Sequence, residues 1–297
     1  MIETDETYSD QLLAFTLPRR HARGRVVRLD AVLDRILSAH DYPPAIRLLL
    51  AEALVVTALV GGLLKDPGSQ LTMQAQTEDG IVQLLVCDFR DGELRGYVQH
   101  DPERLAAYGA NPPLDILFGM GRLAITFEMA TTGQRYQGIV PLEGTSLAEA
   151  CQNYFARSEQ VPTLIRVGVK ANALGCTAGG LLVQHLSEGE EGRERLHVRM
   201  DHPEWEHVAV LAGSIRHGEL VAQELSLEAL VWRLFHEEGD IRAERGARLS
   251  RGCRCSIVHF EDVLARFPSQ ERAEMRNEEG IILVDCAFCS KIFPIQD

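Results

Sequence analysis

A chain of 297 residues, 45% hydrophobic and with a formal net charge of −13, has room for a main globular body and a smaller appendage. That charge runs against nucleic-acid binding, which depends mostly on Lys and Arg neutralising phosphates, so no nucleic acid is expected as a partner. No uninterrupted apolar run reaches the roughly 18 residues that cross a bilayer. The longest candidate, Leu48 to Leu64, is broken by Glu52, and no membrane is expected either.

The N-terminal stretch MIETDETYSD is acidic and lacks the basic-then-apolar layout of a secretory signal, which points to a cytoplasmic protein. The first helical pattern runs from Leu29 to His40, with Asp30 placed to cap it and Val32, Leu33, Ile36 and Leu37 on one stripe. Pro43-Pro44 opens a second helix, nearly all apolar from Ala45 to Leu64, which reads as the central core helix.

The period then changes to two, with strands near Leu71 to Gln76, Ile81 to Phe89 and Leu94 to Gln99. Their separators end in Asp79-Gly80 and Asp91-Gly92, a hairpin signal that predicts an antiparallel meander. Further strands are expected at Leu123 to Met129 and Tyr136 to Pro141, joined by the Thr131-Thr132-Gly133 turn. Ser146 to Glu149 has a capping-box pattern and opens a helix with Leu147, Ala150, Cys151, Tyr154 and Phe155 inward. Strands follow near Thr163 to Val169 and Gly180 to His185. The glycines between Gly175 and Gly180 lack the lysine and the strand-then-helix setting of a phosphate loop.

At Ser187 the composition shifts to SEGEEGRER, charged and without large apolar residues, which sets the main domain boundary. Beyond it Trp205, Val208, Leu211, Ala212 and Ile215 keep helical spacing, and Gly218 is expected to end the stripe. Ser226 caps a second helix with Leu227, Leu230, Val231, Leu234 and Phe235 on one side, and Leu225 and Leu230 sit at the positions of a hydrophobic staple. That helix ends in Glu237, Glu238 and Asp240, at the negative end of its dipole, where each carboxylate typically costs a few tenths of a kcal/mol. GDIRAERGARLS then offers few groups to bury, so Phe235 to Ser250 reads as labile.

The densest chemistry lies at the C-terminal end. Cys253-Arg254-Cys255 is followed, thirty residues later, by Cys286-Ala287-Phe288-Cys289. A tetrahedral zinc ion takes four thiolates, and each close pair makes half a site, with a helical excursion between the halves. Should zinc leave, each pair is within reach of a local disulfide. Spacing alone leaves a permanent zinc ribbon and a redox switch both open. Arg251, Arg254 and Lys291 nearby are expected to favour thiolate. His259 reads as a surface or packing residue. Cys87, Cys151 and Cys176 fall in apolar patterns and read as buried small hydrophobes. No nucleophile elbow or zinc-protease helix is present, so no catalytic residue is assigned. A constitutive zinc-ribbon protein binding RNA or another protein, or an enzyme with a polar pocket in residues 1 to 186, are the competing readings.

Across nearly the whole chain the sequence resembles the redox-regulated heat shock protein 33 chaperones. The resemblance rests on the Cys-x-Cys and Cys-x-x-Cys arrangement together with HDYPPAIRLLLAEALVVTALVGGLLK at 40 to 65, RYQGIVPLEGTSLAEACQNYFARSEQVPT at 135 to 163, AGGLLVQ at 178 to 184 and VWRLFHEE at 231 to 238. It implies an α+β protein: an N-terminal domain of antiparallel β-sheet packed with helices over residues 1–186, a helical, metastable linker over 187–250 and a small zinc-binding redox-switch domain over 251–297. It implies an ATP-independent holdase for unfolded proteins, with Cys253, Cys255, Cys286 and Cys289 binding one zinc in a reduced, inactive, monomeric state. Oxidation would form Cys253–Cys255 and Cys286–Cys289 disulfides, release zinc and give an active homodimer. Unfolding of the linker would then free Trp205, Leu211, Leu230, Val231, Leu234 and Phe235 for clients. One departure is that eight residues follow Cys289, where family members commonly continue with further structured sequence.

Overall fold

A computed structural model describes residues 9–109, 111–172, 175–186 and 202–296. The charged break at Ser187 to Arg195 and most of the acidic N-terminal stretch lie outside these residues. The architecture is α+β, with antiparallel pairing dominant. One sheet has the order β10-β1-β2-β9-β8, from β1 (Gln11–Leu17), β2 (Ala22–Leu29), β8 (Thr163–Asn172), β9 (Gly175–His185) and β10 (Arg242–Arg248). A second sheet has the order β11-β5-β4-β3-β6-β7, from β3 (Gln70–Gln76), β4 (Val82–Arg90), β5 (Glu93–His100), β6 (Arg122–Glu128), β7 (Arg135–Pro141) and β11 (Ser250–Arg251). The hairpin β12 (Ile281–Asp285) and β13 (Ile292–Gln296) stands apart.

The meander β3-β4-β5 and the pair β6-β7 form as their alternation predicts. Asp91 and Gly92 take positive φ (50° and 82°) in the tight β4–β5 turn. Gly80 does not take positive φ. It is needed because a Cβ there would lie 2.6 Å from the Leu117 carbonyl.

Helix α1 (Ala31–Leu37) buries Val32, Leu33, Ile36 and Leu37 as expected, but Asp30 does not cap it. The Asp30 carboxylate instead accepts from Thr177 and Gln223. The cap comes from Asp10, at the entrance to β1, which accepts from the Asp30 and Val32 N–H groups at 2.9 and 3.2 Å. Burial raises the Asp10 pKa despite these two bonds.

Helix α2 (Pro44–Gly61) is the core helix. Contrary to the sequence reading, it is long and apolar enough to cross a membrane by length and composition. Most of it is buried, and it packs on strands of both sheets. Its Glu52, whose pKa burial raises, accepts from Ala148 N–H at 3.0 Å. Two short helices, α3 (Pro102–Tyr108) and α4 (Leu114–Phe118), follow β5. At α5 (Leu147–Tyr154) half of the expected capping box forms: Ser146 Oγ accepts from Glu149 N–H, while the Glu149 carboxylate turns to Thr145.

The first sheet is covered on both faces. Leu12, Val27, Leu29, Ala178 and Leu182 point into the core around α2, while Leu13, Phe15, Leu17, Val26, Leu181 and Val183 point the other way. Three helices lie on that second face: α6 (Pro203–Gly213), α7 (His217–Leu220) and α8 (Leu227–Phe235). Gly218 does not end the first stripe as expected, since α6 stops at Gly213 and Gly218 lies inside α7. That short helix approaches the sheet closely over Gly168 and Gly179, which pair across β8 and β9. A Cβ on either would meet the His217 or Leu220 carbonyl at 2.5 or 2.2 Å. Beneath the same helices Arg28 is fully buried, donating to the Leu220 and Leu225 carbonyls at 3.0 and 2.6 Å, with Nη2 unpartnered.

Candidate metal centre

After α8 the chain does not run loose, as its composition suggested. Arg242–Arg248 adds to the edge of β1 as β10, and Ser250–Arg251 adds in parallel to the edge of β5 as β11. The acidic end of α8 is also compensated. Glu238, its side chain 6% exposed, takes hydrogen bonds from Arg20 at 2.7 Å and His207 at 2.6 Å. Burial opposes its ionisation, yet these two donors leave its carboxyl below the usual range.

From β11 the chain enters a small lobe. Ser256 Oγ accepts from His259 N–H and starts α9 (Ile257–Leu264), then α10 (Ser269–Glu274) leads into β12 and β13. This is the helical excursion that the thirty-residue gap predicts. The turn between β12 and β13 carries the second cysteine pair, tightened by Cys289 N–H and Ser290 N–H donating to the Cys286 carbonyl at 3.1 and 2.8 Å. After Cys289 the chain forms β13, which buries Phe293 and Ile295 in the lobe's core.

The four sulfurs of Cys253, Cys255, Cys286 and Cys289 lie within 4.8 Å of one another. Cys253 Sγ is 3.2 Å from Cys255 and 3.6 Å from Cys286, and Cys255 is 3.6 Å from Cys289. A tetrahedron with metal–sulfur distances near 2.3 Å needs sulfurs about 3.8 Å apart. All seven cysteines are free thiols, and the cluster fits a tetrahedral metal ion.

Burial works against thiolate at Cys253, yet its hydrogen bonds with the Cys255 N–H and the neighbouring sulfurs bring it to about 7. The reverse holds at Cys255 and Cys286, where burial and the adjacent sulfurs raise the pKa. One thiolate surrounded by thiols is a starting point for binding a soft cation with release of protons. The flanking cations do not create this, contrary to the expectation from sequence. Arg254 donates to Gln70 on β3, and Lys291 Nζ sits 5.1 Å from the Phe293 ring centre. His259 is exposed and packs on Phe260. Cys87, Cys151 and Cys176 are buried away from the cluster, and burial raises each thiol pKa, Cys176 to about 11.

Sequence reasoning missed the dock beneath the lobe. Phe288, the second residue between the paired cysteines, places its ring edge-on to Tyr97 at 5.0 Å, with the Arg95 guanidinium 4.0 Å from its centroid. Arg95 is held in turn by buried Asp88 at 2.6 Å. His40 Nε2 bonds the Ala287 carbonyl at 2.8 Å, and Ser290 Oγ reaches His40 Nδ1 at 3.1 Å. An aromatic spacer inside a Cys-x-x-Cys pair was the available signal.

The six apolar linker residues singled out from sequence gather on the first sheet. Trp205, Leu230, Val231 and Phe235 are buried there, Leu211 and Leu234 are partly buried, and Phe235 meets Phe15 at 5.6 Å between ring centres. A cleft of about 590 Å³ between α2, α5 and β8 was a place to look for an enzyme site. Its walls combine Leu48, Leu49, Leu117, Ile165 and Val167 with Arg166, His217 and two carboxylates, of which Glu52 accepts from Ala148 N–H and Glu149 from Thr145 N–H at the start of α5.

The Hsp33 protein family profile matches residues 10–296. The chain is 39% identical to a 33 kDa chaperonin of Caulobacter vibrioides over 96% of its length and 94% of that protein. It is 35% identical to the 33 kDa chaperonin of Nitrosococcus oceani, covering 95% of this chain and 90% of that one. The crystal structure of a 33 kDa chaperonin from Thermotoga maritima shares the fold, with a TM-score of 0.74 at 22% identity over 97% of this chain and 95% of that one.

Proposed function

The chain belongs to the Hsp33 family of chaperones, and from that premise we propose that it is a redox-regulated, ATP-independent holdase of the cytoplasm with one zinc in its resting state. The carrying observation is the convergence of four thiols, within 4.8 Å, in a lobe whose own core is five buried residues. In this reading residues 1–186 form the chaperone body, 187–250 a metastable linker and 251–297 the redox switch.

Zinc, when bound, supplies four metal–thiolate bonds, on the order of 10 kcal/mol of folding free energy in comparable small domains. Cys253, Cys255, Cys286 and Cys289 hold it as thiolates. Peroxide or hypochlorous acid takes two electrons from each close pair, forming the Cys253–Cys255 and Cys286–Cys289 bonds while the oxidant is reduced to water or chloride and water. Four sulfurs bonded in two pairs no longer join β11 to the β12–β13 turn. The lobe then unfolds, Phe288 leaves Tyr97 and Arg95, and β11 leaves β5. The linker loses its anchor and uncovers Leu13, Phe15, Leu17, Val26, Leu181 and Val183. An exposed apolar face of that kind takes unfolded clients or a second copy of the chain, consistent with an inactive monomer and an active homodimer.

The test follows zinc content, free thiols and suppression of client aggregation on one sample before and after oxidation. Release of about one zinc per chain should coincide with the onset of suppression. A fully oxidised, zinc-free sample that leaves aggregation unchanged would refute the proposal.

A further inference from the structure

We propose that the outer edge of β1 is a client site in its own right: once β10 has left, an extended apolar segment of unfolded polypeptide pairs with Gln11–Leu17 in its place. The inference rests on the proposed function, since it is release of the linker that clears the edge.

β10 reads Arg-Ala-Glu-Arg-Gly-Ala-Arg, and its described side chains are all exposed. It pairs antiparallel with β1, setting Phe15 against Ala243, Ala14 against Glu244 and Leu13 against Arg245, with a shift of register between Gln11 and Leu13. No large apolar side chain of β10 covers either Leu13 or Phe15. Beyond the backbone ladder, Arg245 pairs with Glu228 of α8 at 2.5 Å, while Arg242 pairs with Asp240 in the turn just before the strand at 2.9 Å. Both arginines are more than half exposed, and pairs of that kind contribute little.

The strand beneath is of opposite character. β1 reads Gln-Leu-Leu-Ala-Phe-Thr-Leu, with Leu12, Leu13, Phe15 and Leu17 buried. An apolar strand with a free row of N–H and C=O groups is a template for any extended chain, and charged residues on the edge are how folded proteins prevent this. β10 is such a guard, and it is detachable. It runs through Leu249 directly into β11, so loss of the lobe pulls on it first. When α8 goes as well, Phe15 loses Phe235, and edge and apolar face open together. An incoming strand then finds backbone partners, which give affinity regardless of sequence, and places for alternate apolar side chains beside Leu13 and Phe15. Folded proteins rarely offer a free strand, so the edge selects unfolded ones.

Residue-resolved hydrogen exchange on the full chain tests this, with reduced, carboxymethylated α-lactalbumin as the unfolded probe. In oxidised protein alone, the β10-facing amides of residues 11–17 and the amides of 242–248 should lose protection. Saturating probe should slow the former again by about tenfold or more while 242–248 stays fast. The paired variant Ala243→Val with Arg245→Val makes β10 a stronger competitor on the face of Phe15 and Leu13, and should weaken probe binding about tenfold with zinc release unchanged. Probe binding without a change at residues 11–17, or unchanged affinity in the variant, overturns the assignment. Oxidised wild-type protein that binds no probe would overturn the proposed function itself, and the same titration reports it.

Discussion

The two parts of the C-terminal half are attached to the body in opposite ways. The linker helices share a cluster of sixteen buried residues with the first sheet, among them Trp205, Val208, Ala212, Leu220, Leu230 and Phe235. The lobe has five buried residues of its own, one of them Cys286, and meets the body through Phe288 on Tyr97 and Arg95, Arg254 on Gln70, His40 on the cysteine turn and the two-residue strand β11. The described linker helices are therefore packed as part of a core, while β10 after them adds only to a sheet edge. In the proposed switch the lobe and β10 give way first, and the apolar joint lies downstream of them. A switch built this way would read the thiols first and open its packed interface last.

The largest effect should come from the thiols. Cys286→Ser removes one metal ligand, and exchange protection across 253–296 should be lost as a unit while α2 amides keep theirs, with zinc content falling from about one per chain to none; the lost binding is on the order of 10 kcal/mol. Protection retained in the lobe would mean that it stands on its own packing.

The apolar joint can be broken without touching a cysteine. Gly179→Val puts side-chain atoms where the Leu220 carbonyl lies 2.2 Å from a Cβ position. Overpacking there should cost about 1–3 kcal/mol and lift α7 from the sheet. The reduced, zinc-loaded variant should suppress aggregation without oxidant, and inactivity in that state would place control elsewhere than in this joint.

A smaller effect is expected at the dock. Phe288→Ala removes the contacts to Tyr97 and Arg95, worth about 1–2 kcal/mol together, and leaves all four cysteines in place. Zinc stoichiometry should hold, while zinc release under a fixed dose of peroxide, followed with a chromogenic chelator, should become several-fold faster.

Acid should also act on the packing beneath the linker helices. His185, 3% exposed with both ring nitrogens unpartnered, lies beside His202 and Trp205, with ring centres 4.9 and 6.3 Å away. Burial, then the neighbouring His202 and His21, lower its pKa to about 4, against a smaller opposing pull from Glu204. A histidine with a folded pKa below its unfolded value of about 6.5 stabilises the docked state above pH 6.5. That stability declines as pH falls from 6.5 towards 4, by up to about 1.4 kcal/mol per unit. Trp205 emission should report loosening of α6 in this window, and His185→Gln should flatten the response.

Much of this was legible in the chain. The cysteine pairs, the core helix, the β3-β4-β5 meander and the apolar faces of α6 and α8 all follow from spacing and period, because each is a local pattern. What was not legible depends on long-range pairing. RAERGAR carries no alternation, and only its partner, β1, makes it a strand. β1 escaped notice because a strand buried on both faces loses the polar half of its pattern, and β2 because Arg23, Arg25 and Arg28 break its apolar run. Asp10 caps a helix twenty residues away, and Phe288 looked like a spacer until Arg95 and Tyr97 came beneath it.

Arg28 bears on how easily the apolar joint opens. With α7 and α8 in place its guanidinium is buried with Nη2 unpartnered, and burial lowers its pKa. Charged groups withheld from water cost several kcal/mol each even after relaxation. In the proposed switch, departure of the helices would rehydrate this cation, and the solvation regained would offset part of the penalty for wetting Leu13, Phe15 and Val26. What is laid open is consequently not a uniform hydrocarbon surface but one with a fixed positive donor near its middle, suited to a polypeptide's carbonyl oxygens as much as to its side chains.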